Sequence, residues 1–402
     1  MTMRVLFVDD QPNVLAGLRR MLRGLRSEWE MEFAESGDEA LSIMADSPFD
    51  VVVSDLRMPG MDGVQLLNSV LERHPGTVRI ILSGQADQAS VLRSVTPAHQ
   101  YLSKPCDAET LKATVARACS LRDTLCQESL IRLVSKVTTL PSLPHVYTQL
   151  LEELQSEEAS VQRVAKLIAQ DVGMTAKLMQ MVNSSFFGIP RRVESPAQAA
   201  ALLGLNVLKP LVLSAGIFSQ FSADGLQGYS VDALMEHSLA VSRLAEQIAK
   251  SHHDDKALAE DALVAGLLHD VGQLLLVEHL HEQFGKALAL ARENEIPLCD
   301  AEVECLGASH ADVGGYLLGL WGLADPIVEA VVFHHRPMNC GANRLGPLTA
   351  VHVANVLASE AQPSCGITFG LNMDVEYLNH LGVADQLPKW RDMADDFYAA
   401  RA

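Results

Sequence analysis

DVVVSDLRMPGMDG, residues 50–63, opens as a short continuous apolar run and stops at Ser54 and Asp55. Such a run is the pattern of a strand covered on both faces, as in a parallel sheet flanked by helices. Pro59-Gly60 and Asp62-Gly63 then impose turns before a helix over Val64 to Arg73. In open α/β sheets, ligands bind beyond the carboxyl ends of the strands, so Asp55 stands where chemistry is expected. Its significance depends on what the other strands deliver to the same edge.

Outward from this stretch the alternation continues. Arg4 to Val8 reads as a strand stopping at Asp9-Asp10, and Pro12 suits the first turn of a helix to about Arg23, with Asp10 or Gln11 as its cap. Glu30 to Ala34 is a strand and Gly37 to Ala45 a helix. Val78 to Leu82 is a strand ending at Ser83-Gly84, a helix follows near Gln88 to Ser94, and His99 to Leu102 closes on Ser103-Lys104-Pro105. The expectation is a flavodoxin-like, doubly wound, five-stranded parallel sheet of order 2-1-3-4-5. That order gathers Asp9, Asp10, Asp55, Ser83 and Lys104 at one edge. Three carboxylates held together repel unless a cation sits among them. Mg²⁺ suits such a site because it takes few carboxylates and completes its shell with water and a phosphoryl oxygen. Lys104 and Ser83 can hold the remaining phosphoryl oxygens, which leaves Asp55 as a nucleophile for an acyl phosphate.

The motifs VDDQP at 8–12, SDLRMPGMDG at 54–63, LSG at 82–84 and YLSKP at 101–105 resemble the receiver domain of two-component response regulators. The resemblance implies that Asp55 takes a phosphoryl group from a histidine kinase. It also implies that Asp9, Asp10, Asp55 and the main-chain carbonyl of Arg57 hold Mg²⁺. By the same comparison Ser83 hydrogen-bonds the phosphoryl group, Lys104 pairs with it, Tyr101 is the switch aromatic, and the bond before Pro105 is cis.

From Cys106 or Asp107 an apolar helical spacing runs on to about Lys136, and Leu140-Pro141-Ser142-Leu143-Pro144 then breaks it. The expected division is a receiver over 1–122, a linker over 123–139 continuing its last helix, and a second unit over 140–402 with its core at about 140–360. This second unit reads as helical throughout, for example VDALMEHSLAVSRLAEQIAK and ALVAGLLHDVGQLLL. His237 lies in one such segment, and His269-Asp270 in another that is strongly apolar. His310, His334-His335 and His352 to Asn355 follow. A His-Asp pair in an apolar helix is costly unless paired or metal-bound, and this donor set suits Zn, Fe, Ni or Mn.

The histidine pattern resembles the HD superfamily of metal phosphohydrolases. Five ordered segments at 140–151, 170–188, 200–213, 265–276 and 309–337 resemble its HD-related output domain, HDOD, more closely. Against active HD-type cyclic dinucleotide phosphodiesterases the chain departs at three places. Gln273 replaces a lysine, the acid and GYP segment are missing after the paired histidines, and Asn355 stands where a metal-binding aspartate is expected. Asparagine keeps a carbonyl oxygen but loses the charge. The expected vestigial metal site is His237, His269, Asp270 and Asn355. His310, His334 and His335 read as weaker ligands, the last two being equally explained as a polar helix end. NSSFFG at 183–188 reads either as a partner-docking loop or, equally, as helix capping by Asn183 and Gly188.

Composition sets the outer bounds. Fifty acidic residues against thirty-one basic give a net charge of −19, which disfavours nucleic acid or an anionic membrane as the main partner. Seven cysteines without a CxxC pair fit a reduced, cytoplasmic protein. No signal peptide is read at the N-terminus, and the apolar stretch Ala197 to Phe218 is interrupted by Asn206, Lys209 and Pro210, so buried helices are expected there. The reading is a response regulator whose output is protein–protein interaction with an unnamed partner or a second copy, and which transfers phosphoryl only to its own Asp55. The alternative is a phosphorylation-gated metal phosphohydrolase of the cyclic dinucleotide type.

Overall fold

The computed structural model describes residues 2–400 apart from 84–97, 105, 121–127, 138–140, 143, 157, 184–192, 215–218, 221–228, 253–254, 342 and 362–370. The helix expected near 88–94, Gly84, the bond before Pro105 and residues 184–188 of NSSFFG therefore lie outside the described residues.

The first unit alternates β1 (Met3–Val8), α1 (Pro12–Met21), β2 (Trp29–Ala34), α2 (Gly37–Asp46), β3 (Val51–Asp55), α3 (Gly63–Arg73), β4 (Val78–Ser83), β5 (Gln100–Ser103) and α4 (Ala108–Ser120). The strands are parallel and ordered β2-β1-β3-β4-β5, which is the expected sheet. Every residue of β3 is buried. Its alternating side chains feed two cores, Val51 and Val53 on one face and Val52 on the other. Pro12 starts α1 with Gln11 as the cap residue, so Asp10 is not needed there. Asp62 and Gln65 form a capping box on α3. Gly63 opens that helix against the end of β3, where an added Cβ would lie 2.0 Å from the Asp55 carbonyl oxygen. This close approach fixes the turn that presents Asp55.

Helices follow from the linker onward: α5 (Glu128–Lys136) in the linker, then α6 (Pro144–Gln155), α7 (Val161–Ile168), α8 (Val172–Asn183), α9 (Pro196–Ser214), α10 (Val231–His252) and α11 (Lys256–Leu268) in the second unit. They continue with α12 (Val271–His279), α13 (His281–Asn294), α14 (Leu298–Leu306), α15 (His310–Leu320), α16 (Asp325–Phe333), α17 (Pro347–Ala361), α18 (Val375–His380) and α19 (Leu387–Ala399). A two-residue parallel pairing of Pro141–Ser142 with Ser219–Gln220 departs from the all-helical expectation. Helix α9 runs through Asn206, Lys209 and Pro210 and kinks at Gly204, whose φ of 65° suits only glycine well. Asn183 does not merely cap α8: its amide bonds both the N–H and the carbonyl of Val193 at 2.9 Å, bridging the two ends of 184–192. Where one helix was expected from Cys106 to Lys136, α4 and α5 are described and 121–127 are not.

The two units share a core. One apolar cluster runs from Val5, Val53 and Ile80 through Leu111 and Val134 to Leu268, Tyr316 and Val353. Helix α15 packs on α4 and α5. At this junction the buried Arg79 guanidinium donates to the Ser135 carbonyl at 2.5 Å, and His99 Nε2 reaches the same oxygen at 2.9 Å. Ser135 Oγ lies 3.4 Å from the Tyr316 hydroxyl, and Gln100 Nε2 donates to the Gly319 carbonyl at 3.3 Å. Gly63→Ala should cost about 1–3 kcal/mol, as overpacking against fixed backbone does, read as a lower urea midpoint of the full chain than for Gly17→Ala, whose added Cβ meets nothing within 4 Å.

Candidate functional site

At the carboxyl edge of the sheet, Lys104 Nζ lies 2.6 Å from both Asp9 Oδ2 and Asp55 Oδ1. β1, β3 and β5 bring these residues together because the order places β3 between the other two with β4 interposed. Asp9 and Asp55 are buried. Burial raises the Asp55 carboxyl, and although Lys104 pulls it down, the neighbouring Asp9 charge helps keep it raised. Burial pulls the Lys104 ammonium down, but Asp55 and Asp9 prevail and raise it. Asp9 Oδ1 also accepts from the Gln11 N–H at 3.0 Å, while buried Asp10 Oδ1 has no hydrogen-bond partner. One oxygen from each of Asp9, Asp10 and Asp55 lies within 4.8 Å of the others. Hard oxygen donors with an orphaned carboxylate oxygen fit a Mg²⁺ ion. Ser83 ends β4, in register with Ser103, and its side chain lies outside the described residues. Tyr101 is buried in the second core of the sheet, and burial raises its hydroxyl pKa.

The second site lies inside the bundle of α10, α11, α12, α15, α16 and α17, which pack on one another. His237 comes from α10, His269 and Asp270 from the joint between α11 and α12, His310 from the first residue of α15, His334 and His335 from the end of α16, and Asn355 from α17. All seven converge. His237, His269 and Asp270 form one set of close donor atoms, and Asp270, His310, His334 and His335 a second, so Asp270 is common to both. Asp270 lies 3.2 Å from His269 Nε2, 3.1 Å from His310 Nε2 and 3.7 Å from His334 Nε2. His335 Nε2 is 2.9 Å from His310 Nε2, and Asn355 Oδ1 is 2.9 Å from His237 Nε2. His334 and His335 are thus not a solvated helix end but as central as the His-Asp pair.

The outer nitrogens are already engaged. Nδ1 of His269 meets the Gly266 carbonyl at 2.7 Å, Nδ1 of His334 the Val331 carbonyl at 2.7 Å, and Nδ1 of His310 the Glu302 carboxylate at 2.6 Å. Each acceptor holds a proton on Nδ1 and turns Nε2 inward, as in histidine metal ligation. His269 Nε2, His334 Nε2 and Asp270 Oδ1 are buried without a hydrogen-bond partner. Donors around a tetrahedral ion at 2.0–2.1 Å stand about 3.3 Å apart, and the spacings here lie about that value. The residues fit a transition metal of the zinc or manganese type.

Glu302 is the functional residue that the sequence reading missed. It is fully buried, and it accepts from both the N–H and Nδ1 of His310. The available signal was an acid at position 302, between Leu298 and Leu306 on the buried stripe of α14. Gln273 is buried and accepts from the Tyr229 hydroxyl at 3.3 Å, so it contributes no charge where a lysine was the reference. A cavity of about 190 Å³ reaches the cluster, with His334, His335, Arg336, His352 and Asn355 in its wall. Arg336 and Asp300, 2.5 Å apart, pair in that wall.

Electrostatics divides the histidines. Burial lowers His237 to about 4 and holds His334 and His335 well below the ordinary range. His310 goes the other way: burial opposes its proton, but Glu302 and Asp270 raise it to about 10. Burial likewise works against the Asp270 charge, and the facing His269 and His310 hold its carboxyl well below the usual carboxylate range.

With that geometry in hand, comparison with known proteins assigns both units. The receiver-domain model of response regulators matches residues 5–116 and the HDOD-domain model residues 140–337. The chain is a response regulator with an HDOD output domain. An uncharacterized protein of Treponema pallidum (strain Nichols) is 26% identical over 205 residues, covering 50% of this chain and 39% of that protein. The hydrogenase transcriptional regulatory protein HoxA of Cupriavidus necator is 38% identical over 116 residues, covering 28% and 23%. The DNA-binding transcriptional regulator NtrC of Salmonella typhimurium is 39% identical over 114 residues, covering 28% and 24%. The match thus spans less than half the length of each of these relatives. Among solved structures, the MmoQ response regulator of Methylococcus capsulatus str. Bath aligns at 21% identity and TM-score 0.46, over 63% of this chain and 98% of that one. No helix among the described residues is long and apolar enough to cross a membrane.

These shifts give a test in the metal-free protein. His310, raised from 6.5 to about 10, contributes stability below pH 6.5 that is lost as the pH rises towards 10. His237, lowered from 6.5 to about 4, contributes stability above pH 6.5 that is lost as the pH falls towards 4, and the lowered His334 and His335 act in the same direction. In chelator the urea midpoint should peak near neutrality, with the unfolding constant changing by up to about tenfold per pH unit per group. Glu302→Gln should flatten the alkaline limb alone.

Proposed function

We propose that a histidine kinase phosphorylates Asp55 and that the resulting change in the receiver alters what the HDOD domain binds. The observation that carries this reading is Lys104, held between Asp9 and Asp55 at 2.6 Å from each. Asp55 attacks as a carboxylate, the bond from phosphorus to the donor histidine breaks, and the phosphoryl group stays on Asp55. Bound at Asp9, Asp10, Asp55 and the Arg57 carbonyl, Mg²⁺ would neutralise charge on the transferring group. Lys104 leaves its carboxylate pair to hold a phosphoryl oxygen, with the Ser83 hydroxyl as the second holder and the Tyr101 ring following it. The output acts through protein contacts, with another protein or a second copy of this chain as partner. Acetyl phosphate with Mg²⁺ should place one phosphoryl group on Asp55, detected by peptide mass. The adduct should be absent in Asp55→Asn, and labelling elsewhere in the wild-type chain would refute the assignment.

A second reading rests on the convergence of seven residues around Asp270. In it the HDOD domain retains a transition-metal site able to act on a phosphoester. His237, His269 and Asp270 would hold one ion, and Asp270, His310, His334 and His335 another. Such ions supply Lewis acidity and an activated water. Asn355 brings an oxygen without charge, which weakens the His237 side. The 190 Å³ cavity falls below the ~300–1,000 Å³ of ordinary ligand pockets. That size favours a small phosphoester over a cyclic dinucleotide, with Arg336 in the cavity wall as a cation for its phosphate. Zinc or manganese should bind to the chelator-stripped protein in metal analysis, and Asn355→Asp should tighten it about tenfold or more, the size of effect seen when ligand environments change. Absence of binding by the wild type would remove the phosphohydrolase.

A further inference from the structure

β5 and α15 connect the two sites. β5 carries Lys104 immediately beyond its last residue and Gln100 at its first. Lys104 holds Asp9 and Asp55, while Gln100 donates to the Gly319 carbonyl near the far end of α15. A second tie joins α15 to the receiver through Tyr316, the Ser135 hydroxyl, and the Ser135 carbonyl that Arg79 and His99 bind. An extended strand transmits an axial displacement from one end to the other with little loss, since its residues already lie near their maximum reach.

The other end of α15 is His310, a member of the Asp270 cluster. That end is keyed to α12, which begins directly after Asp270. An added Cβ on Gly272 would lie 1.9 Å from the His310 carbonyl oxygen, and the backbone of Gly314 packs against the same glycine. Helix α15 is 11 residues long, so it spans about 16 Å as a single rod. A shift of its Gly319 end therefore moves His310 relative to Asp270 and Glu302. Metal–ligand distances tolerate only about ±0.2 Å, so a displacement of a few tenths of an ångström suffices to change affinity.

We propose that α15 couples the receiver to the output cluster, so that the state of Asp55 sets the affinity of Asp270, His310, His334 and His335 for a divalent transition metal. The proposal rests on the phosphoacceptor and metal readings given above and adds how the one controls the other. Because coupling between two bound ligands is reciprocal, metal in the cluster changes the affinity of Asp55 for a phosphoryl mimic by the same factor.

The experiment uses the full chain, beryllofluoride with Mg²⁺ as the mimic, and Zn²⁺ in competition with a chromophoric chelator. In the wild type, beryllofluoride should shift the Zn²⁺ dissociation constant by at least about fivefold, the lower end of measured couplings, and hydrogen exchange of the α15 amides should change even without zinc. The double variant Gln100→Ala, Tyr316→Phe should bind both ligands but bring the shift below about twofold and abolish the exchange response. Zn²⁺ binding that is indifferent to beryllofluoride, with unaltered α15 exchange, overturns the coupling. If no Zn²⁺ binds in either state, the metal reading fails and with it the stated coupling, while the exchange arm shows whether the receiver moves α15. If beryllofluoride leaves the receiver amides unchanged, the phosphoacceptor reading fails instead.

Discussion

A buried carboxylate is tolerated only where cations or hydrogen-bond donors face it, and both working ends of this chain are built on that constraint. Asp55 and Asp9 are buried at the edge of the sheet and share one lysine. Asp270 and Glu302 are buried in the bundle and share His310. Buried pairs of this kind are often no better than apolar substitutes of equal volume.

The two ends differ in softness, and the difference follows from their ligands. The candidate metal donors at Asp55 are carboxylate oxygens, from Asp9, Asp10 and Asp55 itself, which suits Mg²⁺ and a phosphoryl group. Imidazoles dominate around Asp270, with Nδ1 of three of them tied to carbonyl or carboxylate oxygens so that Nε2 faces inward. Between them runs a continuous apolar core among the described residues. A change at the sheet edge is therefore not easily dissipated in a flexible joint. Close-packed interiors transmit small displacements because they compress little.

Much of the receiver was readable before the tertiary structure. The run Val51 to Asp55, the turn at Pro59-Gly60 and the strand ends at Asp9, Asp55, Ser83 and Lys104 all follow from local pattern, because side-chain period and turn chemistry are local properties. Strand ends shifted by one residue or so, as at Trp29 and Ser83, where hydrogen bonding to neighbours decides the last pair. The bundle was legible as helices but not as a site. His334 and His335 looked like a polar helix end, yet they face Asp270 across the core. Glu302 escaped notice because its partner His310 is eight residues away on another helix. Asn183, at the end of its helix, also ties down Val193, a contact ten residues away that local pattern did not reveal.

What the amino-acid order determined by itself was the period of each segment, the turns between them and the supply of acids, lysine and histidines. Those depend on neighbours within a few residues. What tertiary structure alone decided was which of these groups meet: Lys104 with Asp9 across 95 residues, His237 with Asn355 across 118, and Gln100 with Gly319 across 219. Such meetings are set by how helices and sheet pack to exclude water. That packing is a property of the whole core, which no single stretch carries.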